Sequence, residues 1–412
     1  MARTGSAKDD PATSSRQEGR RYRRILFALI AAGVATFTEL YAIQGVLTQL
    51  AEELQVSPSE ASLAISFATT GVALGVLPWA WAGDRFGRLR CMQFAVSAAV
   101  VFGLLAAVMP SFEALLAVRL LGGVALAGVP VLAVAYIRET LKGSMAAAAA
   151  AAYIAGTTVG GAGGRVISGA LSPELGWRGA VLGAGVASLA VAVVFLALAP
   201  RSAVRPRGGG SQWARLRSAT SRLALWRLYV QGLLLTGSFV AVYNFLGFRV
   251  EAPPYSVPPS LAALLFLSYF AGTVTSRMTG SWLPRLGYTR TVLVGFFGMA
   301  VGLGVMLIEN LMAVILGLVV FTASFFLAHA AAVATVGEVA GAQYQSQASA
   351  MYTIMFYLGS GVLGWLLGLF FEQSGWPALT LAIGIVLVVC AAFCTIGRPR
   401  RSGQRYSVRD GA

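Results

Sequence analysis

From Leu311 to Val336 the chain runs through 26 residues in which His329 is the sole ionisable side chain. About 20 apolar residues in a helix cross a hydrocarbon core roughly 30 Å thick. Within that core every backbone N–H and C=O has to be satisfied inside the segment or by a closed barrel. Runs like this one recur along the 412 residues and leave room for about twelve crossings. They are Leu-, Ala- and Gly-rich and lack the period-two alternation of a membrane barrel. The composition agrees, with 57% hydrophobic and 11% charged residues where an ordinary soluble domain has roughly 25% charged. The expected fold class is an all-α membrane protein with twelve transmembrane helices.

A net charge of +15 would point to nucleic acid in a soluble protein, but its placement points elsewhere. With alternate loops assigned to alternate sides, 26 of the 31 Lys and Arg residues fall on one side. Arg178 and Arg249 lie opposite, and Arg119, Arg165 and Arg277 lie within spans. By the positive-inside rule both termini and the long central loop are cytoplasmic, with Glu52, Glu174 and Glu251 outside. Residues 1–24 read as a disordered cytoplasmic tail ahead of a retained first helix, since the first apolar run is too long for a removable signal peptide. Cys91, Cys390 and Cys394 form neither a disulfide framework nor a metal-ligand spacing. No nucleotide loop, nucleophile constellation or metal cluster is present, so the expectation is a non-enzyme with no cofactor and no nucleic-acid partner.

The charged turn WAGDRFGRLR (Trp81 to Arg90) is echoed two hundred residues on by GSWLPRLGYTR (Gly280 to Arg290), with Gly287 on Gly87 and Pro284 where Asp84 stands. Likewise GSGVLG (Gly359 to Gly364) follows VGGAGG (Val159 to Gly164), and the SGW before Pro377 follows the LGW before Arg178. A motif set repeated at offsets of 199 to 200 residues marks an internal duplication. The chain divides into a six-helix half over residues 25–199, a cytoplasmic linker over 200–225, a second six-helix half over 226–396 and a cytoplasmic tail over 397–412. Two parallel repeats of this kind place a central site between halves that rock against each other.

GDRFGR after the second span resembles the signature loop of the major facilitator superfamily. LLAVRLLGG (Leu115 to Gly123) is similar to that superfamily's fourth-helix arginine motif, and GTTVGGAGG to the fifth-helix motif of its antiporters, with Gly161 where a proline is usual. LYAIQ in the first span and YNFLGFR in the seventh resemble the YnfM-type branch of bacterial drug and metabolite exporters. The resemblance covers essentially Ile25 to Ile396. It implies a monomeric secondary transporter of the bacterial inner membrane, exporting a small amphipathic drug or metabolite in exchange for protons. An importer or facilitator, or a transporter-like receptor or lipid-handling protein, stays open as an alternative.

Charged groups at mid-membrane cost about 2.5–3.5 kcal/mol on insertion scales, so those present are functional suspects. Glu39 lies ~12 Å and Arg119 ~10 Å from the outer surface at 1.5 Å per residue. At that shared level a pair or water-bridged contact is open to them, either with Glu39 carrying the coupled proton and a cationic or polar substrate displacing it, or as a static buried ion pair that only fixes the two helices. Asp84, Arg85, Gly87, Arg88 and Arg90 form the expected gating loop. The resemblance gives Asp84 a partner near Gln345 to Ala348, at a helix start whose dipole holds a carboxylate by ~0.3–2 kcal/mol. Tyr41, Gln44, Tyr243, Asn244 and His329 are candidate cavity residues, although a lone histidine there also suits a hydrogen-bonded core. Gly156, Gly160, Gly161 and Gly164 read as helix-packing residues on a sliding surface between the halves.

Overall fold

The computed structural model describes residues 11–200, 222–341 and 343–395. Most of the expected linker and the tail after residue 396 lie outside the described residues. Helix α1 (Pro11–Tyr41) gives way to a 3₁₀ segment (Ala42–Val46), followed by α2 (Leu47–Leu54), α3 (Pro58–Phe86) and α4 (Arg88–Ala106). Next come α5 (Phe112–Leu126), α6 (Gly128–Thr140) and α7 (Gly143–Leu198). The second half holds α8 (Leu223–Glu251), α9 (Pro259–Ala262), α10 (Tyr269–Met306), α11 (Leu311–Ala340), α12 (Gln345–Leu358) and α13 (Gly364–Thr395). The tail expected through residue 24 is corrected, because α1 is helical from Pro11. Arg, Gln and Glu are good helix formers, so the helix extends past the apolar run that hydropathy detects.

Among the described residues nine helical stretches are long and apolar enough to cross a membrane. Three of them, Gly143–Leu198, Pro259–Met306 and Gln345–Thr395, have 56, 48 and 51 residues, about twice one crossing. Each is broken at a glycine of positive φ, namely Gly176 (+64°), Gly287 (+74°) and Gly375 (+69°). The breaks repeat the duplication read in the sequence. Gly87 (+95°) pairs with Gly287, and Gly176 with Gly375, each pair in a left-handed turn that a Cβ would strain. Caps repeat too. Ser111 accepts from Ala114 N–H at the start of α5, and Asn310 accepts from Met312 and Ala313 N–H at the start of α11.

The basic end of the bundle, which carries the Gly87 and Gly287 turns, is tied by cations on helix C-termini. Arg24 donates to Ala197 O (3.3 Å) in the last turn of α7, and Arg222 to Val339 O (3.0 Å) in the last turn of α11. There the side chain satisfies carbonyls that have no intrahelical partner.

Packing differs between the two ends. At the end opposite the basic turns a single apolar core joins the halves, with Ile43, Leu47, Leu50 and Trp177 of the first half against Phe239, Phe245, Leu246 and Leu367 of the second. At the basic end each half keeps its own core. Leu29, Met92, Tyr136 and Phe195 belong to one, and Leu225, Tyr229, Val336 and Tyr352 to the other.

Candidate functional site

The end of α1 is the origin of the site. Where the α-helix stops at Tyr41 and the 3₁₀ segment begins, the last carbonyls of α1 lose their regular partners. Arg119, buried on α5, supplies donors to them. Its Nη1 donates to Glu39 O (3.0 Å), its Nη2 to Leu40 O (2.6 Å), and its Nε to Ala64 O of α3 (2.9 Å). The guanidinium therefore stitches three helices through their backbones. The expected Glu39–Arg119 ion pair is not among the described salt bridges. The Glu39 carboxylate is buried and turned toward Gly103 of α4 and Gly185 and Ser188 of α7, where a Cβ on Gly103 would overlap it. Its Oε1 has no hydrogen-bond partner.

A second buried arginine, Arg165 of α7, is 1% exposed and gathers most of the candidate residues around it. Its Nε donates to Gln44 Oε1 (2.7 Å), its Nη1 to Gly161 O (2.7 Å) and its Nη2 to the Tyr269 hydroxyl (3.2 Å). The guanidinium carbon lies 3.9 Å from the Tyr41 ring centroid, 4.7 Å from Tyr269 and 4.8 Å from Phe266, within cation–π range. Gln44 then donates through Nε2 to Asn244 Oδ1 across the boundary between halves. These two residues stand at the same offset as Gly87 and Gly287, so they are counterparts meeting on the pseudo-twofold axis. Tyr243 shares hydrogen bonds with Ser268 and Thr322 inside the second half and stacks on Phe266. A small cavity lined by Gln44, Tyr243, Asn244, Phe266 and Glu251 adjoins this cluster.

The remaining candidates sit apart. His329 is hydrogen-bonded through Nδ1 to the Tyr352 hydroxyl (3.0 Å) and stacked on Phe325 in an aromatic cluster toward the basic end. In the Gly87 turn Arg88 bridges Asp84 (3.3 Å) and Glu139 of α6 (3.2 Å), while exposed Arg85 packs its guanidinium near the rings of Trp81 and Phe86. Arg90 is exposed. The glycines correct one expectation. A Cβ at Gly156, Gly160 or Gly164 would collide with the carbonyls of Ile30, Val34 and Thr38, one after another. The three form a ladder at i, i+4 and i+8 that lets α7 lie on α1 of its own half, not on a surface sliding between halves. Gly161 faces Arg165 and Tyr41.

Sequence reasoning placed Arg165 within a span and went no further, and it did not single out Tyr269 or Phe266. The available signal was an arginine directly following the glycine motif in mid-membrane, a suspect by position alone.

At the opposite end from the basic turns, the hydroxyls of Ser57 and Ser59 donate to Glu372 and join the halves. Ser57 is also the N-cap of α3, in a capping box with Glu60.

A family model described as Major Facilitator Superfamily matches residues 28–360 and 254–410. The uncharacterized MFS-type transporter YybF of Bacillus subtilis (strain 168) is 35% identical over 376 residues, 89% of this chain and 92% of that protein. The inner membrane transport protein YnfM of Escherichia coli (strain K12) is 32% identical over 375 residues, 90% of this chain and 89% of that one. Among solved structures, a bacterial homolog of the human lysosomal transporter Spinster, inward-facing and unoccupied, has the same fold. Its TM-score is 0.75 at 16% identity, over 91% of this chain and 96% of that chain.

Proposed function

The chain belongs to the Major Facilitator Superfamily and is a multi-pass membrane transporter, not an enzyme, and from that premise we propose a proton-coupled exporter of a small amphipathic compound working by alternating access. The reading takes the chain as twelve crossings in a bacterial inner membrane, with the basic end and both termini in the cytoplasm, acting as a monomer. One observation carries it. The halves share one apolar core at the outer end and a second deeper in the bundle, where Tyr357 packs with Ala68, Val72 and Ala73, and keep separate cores at the cytoplasmic end, which this reading takes as an inward-facing arrangement sealed outside. The Glu372 contacts with Ser57 and Ser59 act as the outer latch in this reading.

Glu39 is the proton carrier and Arg119 its partner. Arg119 is held by the carbonyls of Glu39 and Leu40, and an ionised Glu39 carboxylate competes with them for the same guanidinium. Loss of the proton draws Arg119 off the end of α1 and loosens the point where that helix changes to 3₁₀. Gain of the proton restores it. The step thus turns protonation into a change in the hinge beside the central site.

Inverted vesicles with an imposed pH gradient test the proposal. The expected result is pH-driven accumulation of at least one compound in a broad panel, abolished in Glu39→Gln while substrate binding persists. Gradient-driven transport that survives Glu39→Gln removes Glu39 from the role. Uptake that ignores the gradient and stops at equilibration supports a facilitator instead.

A further inference from the structure

We propose that Arg165 is the recognition point for a carboxylate on the transported compound, which makes the substrate class a small organic monocarboxylate with an aromatic or other apolar body. The inference rests on the transporter reading above and names what that site takes.

The first observation is a charge without a counter-charge. The described ion pairs are Arg88 with Asp84 and Glu139, and Arg178 with Glu53, and Arg165 is in none of them. A fully buried charge is costly unless paired. Glu39 is of no help to it. Two residues along the helix from Tyr41, it is turned about 200° around α1 from the ring that packs on Arg165. The groups holding the guanidinium are neutral, namely an amide oxygen, a backbone carbonyl and a phenol. These occupy three of the five N–H donors of an arginine. One N–H on each terminal nitrogen is left, and that pair suits the two oxygens of a carboxylate.

The second observation is the direction of the amides. Arginine has no acceptor, so Gln44 has to present its oxygen to Arg165 Nε and its nitrogen to Asn244. Asn244 in turn presents its oxygen to Gln44, which leaves its Nδ2 as a donor. Asn244 is 1% exposed, and Nδ2 has no hydrogen-bond partner. The unpartnered side-chain groups at this point are therefore donors, and each amide oxygen already accepts one hydrogen bond. The spare N–H groups favour an anion over a cation. Glu251 lines the same small cavity with its carboxylate beside Gly247, about one turn beyond Asn244 on α8, and its charge keeps an anion on the Arg165 side.

The third observation is the surroundings. The rings of Tyr41, Tyr269 and Phe266 flank the guanidinium. From Tyr269 the aromatic surface continues through Phe239 to Phe325 and His329 toward the basic end. A ligand with its anionic head on Arg165 lays its body along this wall. Val34, Phe37 and Tyr41 are partly exposed on one face of α1, and they mark the approach from the cytoplasmic side. Because Arg165 draws partners from both halves, a carboxylate on its two free N–H groups also reports to the interface that must open and close.

The test uses the full chain, purified and reconstituted, with matched probes. These are benzoate and benzamide, cyclohexanecarboxylate and its amide, hexanoate and hexanamide, and benzylamine as a cation. Thermal stabilisation is read at constant ionic strength, and flux is read against protein-free liposomes. The expected result is at least one carboxylate that binds and moves roughly tenfold or more better than its amide, the scale of a charge-assisted hydrogen bond. Arg165→Lys, which keeps the charge but loses the planar fork, should erase most of that preference. If the lysine variant does not fold, the comparison of acid with amide on the wild-type chain decides. Equal effects of acid and amide, a preference for benzylamine, or no response to any probe overturns the anion inference. Transport of an amide or amine down the pH gradient in the same vesicles would leave the exporter reading standing, whereas silence toward a broad panel would sink both.

Discussion

The two halves keep the same backbone and fill it with different chemistry. Both use a left-handed glycine at the basic turn and another before a buried tryptophan, Gly87 with Gly287 and Gly176 with Gly375. In both, a glycine lies on a carbonyl of the facing helix. Gly160 sits on Val34, and Gly359, 199 residues later, sits on Leu233. The interiors diverge. The first half buries Glu39, Arg119 and Arg165. At the offset of 200 from Glu39 the second half has Phe239, which stacks on Phe325 at 3.8 Å between ring centroids. At the same offset from Arg119 it has Val319, and from Asp84 it has Pro284. The duplication thus preserves what the backbone needs, which is turns, caps and close approach. The three buried charges fall to one half and the aromatic stack on Phe239 to the other.

That division can be broken by substitution, and the largest effect should come from Arg119. Arg119→Ala leaves three buried carbonyls without their donor, each at about 1–3 kcal/mol, so a loss of about 3–5 kcal/mol is expected, while Val319→Ala stays within about 1 kcal/mol. Thermal unfolding of the two variants in one detergent measures the difference, and equal losses would show that the halves are stabilised alike.

Next come the shared glycines. Gly160→Val and Gly359→Val each push a side chain into a facing carbonyl and should each cost about 1–3 kcal/mol. Here the halves should respond equally, and a large loss in only one would break the symmetry argued from the backbone. A smaller consequence is expected at the Gly87 turn. Asp84→Asn should slow transport several-fold with the folded protein intact, about 1 kcal/mol on the transport step. Pro284→Ala should do less, because the second turn has no acid to lose. Wild-type turnover in Asp84→Asn would remove the asymmetry between the two turns.

The smallest effect should be at the rim opposite the basic turns. Arg178 pairs with Glu53 at 3.0 Å but also donates to Ala107 O and Met109 O. Glu53→Gln should therefore cost under about 1 kcal/mol, as exposed pairs do. A larger shift in melting temperature would mean that this rim carries more of the seal than the apolar core beneath it.

Much of this was legible in the chain itself because its causes are local or periodic. A membrane-length apolar run has few alternatives, glycine marks a turn wherever φ must be positive, and a repeated offset shows two copies of one fold. The asymmetry of Asp84 and Pro284 was equally plain. Where side chains point was not written there. Glu39 and Arg119 share a level along the membrane normal, yet direction around a helix axis separates them. The guanidinium goes to carbonyls freed by the end of α1, and the carboxylate turns toward α4 and the end of α7. The glycine ladder was read as a surface between halves, because spacing alone does not say which helix lies opposite. Arg165 shows the limit most clearly. Its neighbours Gln44, Asn244 and Tyr269 are 79 to 121 residues away in sequence, and only the packing of α7 on the broken end of α1, against the second half, brings them together. The sequence by itself determined the membrane, the duplication and the turns, since these follow from solvent, period and backbone sterics. Tertiary structure alone decided which buried charge meets which donor, since that depends on a rotation of roughly 100° per residue about each helix axis and on which neighbour waits there.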